Sequence, residues 1–218
     1  MITIERTQVD GWEAAIRGMR NPLNSWARSD SEKVHYEDGS YRFVPGEKDI
    51  ELMHKLSKSG DDHGKVLRMI TVSCDITAPL YWWKEMDTYK VGTVRNSCST
   101  MHKITSKQFE MQDFSCEHLL LDSNLEMGSI INLLNKYRHL WLEGNAQFEP
   151  KDKHVWWQLI QLLPSSYNQR ATWMGNYQVL RHIYKAREGH KLDEWHKFRN
   201  WIERLPFSEI ITDKGEEK

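Results

Sequence analysis

Residues 76–102 read ITAPLYWWKEMDTYKVGTVRNSCSTMH, and the rest of the chain is organised around them. A strand runs towards Pro79, and an aromatic, amphipathic segment follows in which Leu80, Trp83 and Met86 mark one buried helical side. Thr77 is placed to cap that helix and Pro79 to sit in its first turn, where a missing N–H costs nothing. The stretch closes on Asn96-Ser97-Cys98-Ser99-Thr100-Met101-His102, a run of hydroxyls, an amide and an imidazole that no packed core would hold. By spacing it reads as a solvated loop or as a ligand-binding wall. A serine nucleophile there needs a base to activate it, and sequence alone does not bring His102 to one.

Upstream, Met1–Val9 reads as a short edge strand with Ile2 and Ile4 on one face. Asp10 is a cap for a helix over Gly11–Met19, which Asn21-Pro22 stops. Residues 27–47 are charged and aperiodic, an irregular loop around a brief extended piece at Tyr41–Val44. Glu47–Ser57 is helical, with Ile50, Met53 and Leu56 on one face. After a turn at Gly60–Gly64, the alternation of Val66–Ile76 predicts a strand. Downstream, Leu125–Glu143 carries the strongest helical pattern, ended by Gly144. Lys151–Leu162 is a further helix, stopped by Pro164, and Ser165–Thr172 reads as loop and short strand. Asn176–Arg187 and Lys191–Arg204 are the last helices, parted at Gly189. The fold class is α+β and helix-rich with a small sheet. Residues 1–207 form a single domain, and 208–218 a charged tail expected to fray.

A chain of 218 residues with 39% hydrophobic and 28% charged content is long enough and apolar enough for a sizeable core. Ten tryptophans point to a deep core, a subunit interface or stacking surfaces for planar ligands. A formal charge of −1 argues against a nucleic-acid coat, which needs a basic footprint, but leaves room for a local phosphate pocket. Cys74, Cys98 and Cys116 form no CxxC pair, which fits a reducing cytoplasm. The opening MITIERTQVDGWEAA lacks the apolar core of a secretory leader, and no run reaches the roughly 18 apolar residues of a membrane span. A cytoplasmic protein is expected. His190 and His196 are six apart and no HExxH occurs, so no metal site is expected. GxGxxG, GxxxxGK[ST] and GxSxG are absent as well.

The second informative stretch is Asn176–Arg187. Leu180, Ile183 and Arg187 fall on one helical side, so Arg187 reads either as a snorkelling residue or as a donor held for an anionic or carbonyl ligand. Leu163, Pro164, Trp173, Asn176, Leu180, His182 and Arg187 together resemble, at the same spacing, the closing motif of the flavin-dependent thymidylate synthases (ThyX). The strand before Ala78-Pro79 and the run Asn96–His102 are similar to that family's upstream motif, and His63 stands where its flavin-binding histidine falls. The resemblance implies a helix-rich fold with a small antiparallel sheet flanked by helices, assembled as a homotetramer.

It also implies an FAD-dependent enzyme that passes a one-carbon unit from methylenetetrahydrofolate to C5 of dUMP or a related pyrimidine nucleotide, with NADPH as reductant. Arg187 and Ser99 would be the catalytic residues. His63, Lys90, Asn176 and His182 would hold the flavin, and Arg95, Asn96, Ser99, Arg170 and Arg187 the nucleotide. Departures accompany the matches. The family's Arg-His-Arg falls on Thr88-Tyr89-Lys90, a nucleotide-gripping arginine on Met101, a second one on Ile160, and a glutamate on Arg68. Charge-assisted arginine forks contribute about 1.5–3 kcal/mol per hydrogen bond, so these losses leave a second expectation open. The chain would then be a non-catalytic descendant that binds a nucleotide or a protein partner.

Overall fold

A computed structural model describes residues 1–214 of the chain. Along the sequence run strand β1 (Thr3–Asp10), helix α1 (Trp12–Arg20), the strands β2 (Glu32–His35) and β3 (Tyr41–Val44), and helix α2 (Glu47–Lys58). Next come β4 (Thr71–Pro79), α3 (Leu80–Met86), β5 (Val94–Ser97), α4 (Thr100–Lys103), α5 (Leu121–Glu143) and α6 (Lys153–Leu162). The described chain ends with β6 (Asn168–Asn176), α7 (Tyr177–Ala186), α8 (Asp193–Ile202) and α9 (Glu209–Thr212). A small antiparallel sheet has the order β1-β4-β6-β5, and β2 pairs with β3 as a separate ribbon. The α+β, helix-rich expectation holds. Among the described residues, no helix is long and apolar enough to cross a membrane.

The chain divides into two compact units. The first comprises Met1–Thr3, Ile76–Thr88 and Asn96–Ala171. Its core gathers Ile104, Phe109, Phe114, Met127, Ile131, Leu134 and Leu159, with Tyr137, Trp141, Ile160 and Tyr167 packed against them. The long helical pattern is α5, starting at Leu121, earlier than Leu125, and ending at Gly144, whose φ of 69° suits glycine. The expected cap at Thr77 is not used: β4 continues to Pro79 and α3 begins after it. The orphan amides of Leu80 and Tyr81 are instead satisfied by the carbonyls of Tyr167 and Ser165, each at 3.0 Å. A long-range backbone partner did the work of a local cap.

The second unit comprises Ile4–Asp75, Tyr89–Arg95 and the chain from Thr172 onward. Trp173, Tyr177, Leu180, Ile183, Trp195, Phe198 and Ile202 are essentially buried, and the rings of Trp173 and Trp195 each meet Phe198 edge-on, with centroids 6.2 and 5.8 Å away. Several expectations change here. Gly11, with φ 94°, stands at the start of α1 and Asp10 does not cap it; a β-carbon there would overlap the Met69 carbonyl. Residues 64–69 are 3-10 turns, with Val66 and Leu67 buried side by side, so β4 begins only at Thr71.

Residues 27–47 are better ordered than their charge suggests. β2 and β3 pair in the register Glu32↔Val44 to His35↔Tyr41. The Asp30 carboxylate caps α2 from a distance, accepting the Lys48 and Asp49 amides at 2.9 and 3.1 Å. Gly46 is required because a β-carbon would overlap Asp30. The expected tail is also corrected. Ile210 and Ile211 of α9 are fully buried, and Arg181 holds the Ile210 carbonyl at 2.8 Å and the Asp213 carboxylate at 2.8 Å. Buried isoleucines pull the segment into the core; residues 215–218 lie outside the described residues.

Candidate functional site

The first unit presents a cleft of about 350 Å³ built on the polar run. β5 ends at Ser97, and Cys98 is pinned to β6: its amide donates to the Arg170 carbonyl and its carbonyl accepts from the Gln169 side chain, both at 2.8 Å. That fixes Ser99, whose hydroxyl caps α4 by accepting the His102 amide at 3.2 Å. The run is therefore strand, cap and short helix rather than a solvated loop. Ser99, Thr100, Lys103, Ser106, Lys107, Asp113, Tyr167 and Arg170 face the cleft. Burial raises the Tyr167 phenol above its ordinary pKa, and the hydrogen bond to Asp113 raises the Lys107 ammonium. Asn96 is exposed on β5. Met101 is 51% exposed, its carbonyl accepting from the Trp156 indole at 3.3 Å. Ile160 is part of the core wall.

In the second unit the loop Tyr89–Thr93 meets α7. Arg187 follows the last residue of that helix, half-buried, where a cation suits the negative end of the helix dipole. Its Nε donates to the Tyr89 hydroxyl at 2.9 Å, and its guanidinium lies 4.3 Å from the centre of the Trp195 ring. The side chain is thus clamped in plane and direction. Of the two open readings, a snorkelling arginine and a held donor, this geometry is that of a held donor. Asn176 caps α7, accepting the Val179 amide at 3.0 Å, and the loop closes on it through Gly92.

Gly92 has φ 77°, and a β-carbon there would lie 3.0 Å from the Asn176 amide nitrogen and 3.2 Å from Val179. A left-handed alanine costs roughly 1–2 kcal/mol before any neighbour moves. Gly92→Ala is expected to lose about 1–3 kcal/mol of unfolding free energy in urea; a loss under about 0.3 kcal/mol would mean the loop relaxes freely.

Asp61, in the turn that carries His63, is brought to within 3.8 Å of His182 on α7. The buried Gln178 amide donates to Asp61 at 2.8 Å and sits 2.9 Å from His182 Nε2, holding the turn that carries His63 against α7. His63 and Lys90 are exposed and their side chains have no hydrogen-bond partner among the described residues. Tyr89 does not join them because its hydroxyl is engaged by Arg187. Arg95 is half-buried on β5 and Arg170 is exposed in the first unit. Sequence reasoning named most of these residues but missed the clamp partners of Arg187. Trp195 reads as an ordinary core position of an amphipathic helix, and Tyr89 as a lost family residue.

No family model matches the chain, and no curated protein matches it in sequence. Solved structures do. The flavin-dependent thymidylate synthase ThyX of Helicobacter pylori, complexed with FAD and dUMP, superposes with a TM-score of 0.66 at 18% identity, covering 96% of both chains. A second structure of it with the same ligands gives 0.67 at 16% identity over 97% of both. The UMP/dUMP methylase PolB of Streptomyces cacaoi, bound with 5-Br dUMP, gives 0.62 at 13% identity over 99% of this chain and 96% of its own. The chain has the fold of the flavin-dependent thymidylate synthases.

Proposed function

We propose that the protein transfers a one-carbon unit to C5 of a pyrimidine nucleotide, dUMP or UMP, with FAD as cofactor, methylenetetrahydrofolate as carbon donor and NADPH as reductant. The observation that carries this reading is the clamped guanidinium of Arg187 in a fold whose solved neighbours bind FAD and dUMP. A fixed cation beside a pyrimidine carbonyl stabilises the negative charge that develops on the ring as C5 becomes nucleophilic, without reorganising during the reaction. Ser99, Arg95, Asn96 and Arg170 are assigned to the nucleotide; His63, Lys90, Asn176 and His182 are assigned to the flavin. When bound, FAD supplies the hydride that completes the methyl group. The protein acts as a homo-oligomer, a tetramer by resemblance, in the cytoplasm.

A specific observation favours a second reading. Ile160 is built into the core wall and Met101 offers no charge, so two cations of the resembled motif have no direct successor. A descendant that binds a nucleotide or a protein partner without flavin chemistry follows from that. The two readings separate on one preparation, incubated with FAD and then desalted. The enzyme reading expects flavin absorbance near one FAD per chain and thymidylate formation with dUMP, methylenetetrahydrofolate and NADPH. A colourless protein that forms no product overturns it, and a dUMP-induced rise in melting temperature would then leave the binding reading.

A further inference from the structure

The ribbon β2-β3 has an open edge on each strand, and the edge of β3 opens onto a groove. Residues 41–45 all line this groove of about 790 Å³ in the second unit, together with Trp12, Glu13 and Arg17 of α1. One face of a strand offers only alternate residues, so a consecutive run means that the edge itself lies open there. The phase of the ladder says which backbone groups it carries. The Tyr36 amide donates to the Ser40 carbonyl at 2.9 Å, one step beyond the pair His35↔Tyr41. Bonded and unbonded pairs alternate along an antiparallel ladder. Val34↔Arg42 and Glu32↔Val44 are therefore the bonded pairs, and Tyr41 and Phe43 turn their amides and carbonyls away from β2. The other open edge belongs to β2 and presents the exposed Lys33 and His35. A lysine at an edge discourages pairing, whereas the β3 edge presents two aromatic residues.

The walls of the groove define what it would accept. Glu13 is already engaged: it takes the Lys33 ammonium at 2.8 Å and the Tyr41 hydroxyl at 3.0 Å, which holds the ribbon to α1. Arg17 and Arg42 are exposed and make no hydrogen bond or ion pair among the described residues, against the single carboxylate of Asp10. Trp12 supplies an apolar surface that is fixed in place, its ring edge-on to Tyr177 and Phe207 with centroids 5.4 and 5.1 Å away.

We propose that this groove binds an extended acidic peptide, which adds as a third strand to the open edge of β3 and runs between it and α1. Main-chain bonds to Tyr41 and Phe43 set its register, alternate side chains reach Trp12, and a carboxylate meets Arg17 or Arg42. The four residues of β3 span about 13 Å at 3.3 Å per residue, so about four or five peptide residues are engaged. No residue assigned above to the nucleotide or the flavin lines the groove, so this site stands or falls apart from the one-carbon reading.

Selection of a displayed library of short random peptides on the full chain, followed by amide hydrogen exchange with the most enriched synthetic peptide, tests this. The enriched peptides are expected to carry Asp or Glu and to bind the Arg17→Ala/Arg42→Ala double variant at least about tenfold more weakly. Both arginines are exposed, so that variant keeps the wild-type melting temperature within a few degrees. Bound peptide is expected to slow exchange at Tyr41 and Phe43 about tenfold or more, and to change Arg42 and Val44 little because β2 already holds their amides. Methylating the peptide's backbone nitrogens at alternate residues abolishes binding in one phase and spares it in the other. A selection that enriches no peptide overturns the proposal, and so does a bound peptide that leaves Tyr41 and Phe43 unprotected. Binding unchanged in the double variant overturns the acidic chemistry. Protection of the same two amides that rises with protein concentration and needs no peptide overturns it in favour of a second copy of the chain.

Discussion

Arg187→Ala is expected to weaken dUMP binding at least about a hundredfold while the chain stays folded. The side chain is held by the Tyr89 hydroxyl at Nε and by the face of Trp195, so its orientation is set before any ligand arrives. A charge-assisted hydrogen bond is worth about 1.5–3 kcal/mol, and two from one guanidinium account for the hundredfold. Against folding, the change removes the Tyr89 hydrogen bond and the cation–π contacts with Tyr89 and Trp195, each about 0.5–1.5 kcal/mol at a half-buried position. The melting temperature is therefore read beside the affinity and is expected to fall by several degrees without loss of the fold. Arg187→Lys is not expected to rescue, since an ammonium reproduces neither the fork nor the stack. Tyr89→Phe keeps the charge and loses only the tether, so a loss of roughly three- to tenfold is expected. Calorimetry with dUMP reads all three, and unchanged affinity in Arg187→Ala would show that the residue has no part in binding.

Asp49→Ala is expected to be the most destabilising substitution away from the site, at about 3–5 kcal/mol in a protein whose total stability is about 5–15 kcal/mol. Asp49 is fully buried. One carboxylate oxygen accepts from Arg20, at 2.5 Å to its Nε, and the other accepts the hydroxyls of Ser29 and Ser31 at 2.5 and 2.6 Å and the Ser31 amide at 3.2 Å. Removing it strands a buried guanidinium and three donors. Burial pushes the Asp49 carboxyl up, but the bonds from Ser29, Ser31 and Arg20 outweigh it and hold the group below its ordinary range. With the folded value depressed, its contribution is fully present above the unfolded value of about 3.9 and is lost as pH falls through the folded one. The gap between wild type and Asp49→Asn in urea unfolding should therefore be widest at neutral pH and shrink below about pH 4. A gap that is constant with pH, or under 1 kcal/mol at pH 7, would contradict the role given to the carboxylate.

The periodic helices were legible because their burial is one-sided. Ile50 and Met53, or Leu180 and Ile183, declare a face, and the fold buries those faces. β2 was illegible for the opposite reason: Glu32–His35 is exposed on both sides, so no alternation marks it. The start of β4 is not legible because Val66 has strand character but is buried beside Leu67 in tight turns, where burial does not alternate. Local caps were over-read throughout. Asp10 and Thr77 have suitable side chains, yet α1 opens on a left-handed glycine and α3 on two distant carbonyls. In the candidate site, Arg187 could be named from its helical face and Asn176 only through the family resemblance, and Asn176 does cap α7. Lys107, Asp113 and Tyr167 carry no pattern of their own; only folding lays them on one wall.

The loop Tyr89–Thr93 is fastened at Tyr89, by its bond to Arg187, and at Thr93, whose hydroxyl donates to the Tyr89 carbonyl at 2.5 Å, while Gly92 runs close against Asn176 and Val179. A loop anchored twice has little conformational freedom left to surrender. A ligand that meets Arg187 then encounters a surface already in its final shape, and no ordering step stands between collision and capture. Time, rather than affinity, is where this shows: association should follow ligand concentration linearly, without the plateau that a gating motion would impose.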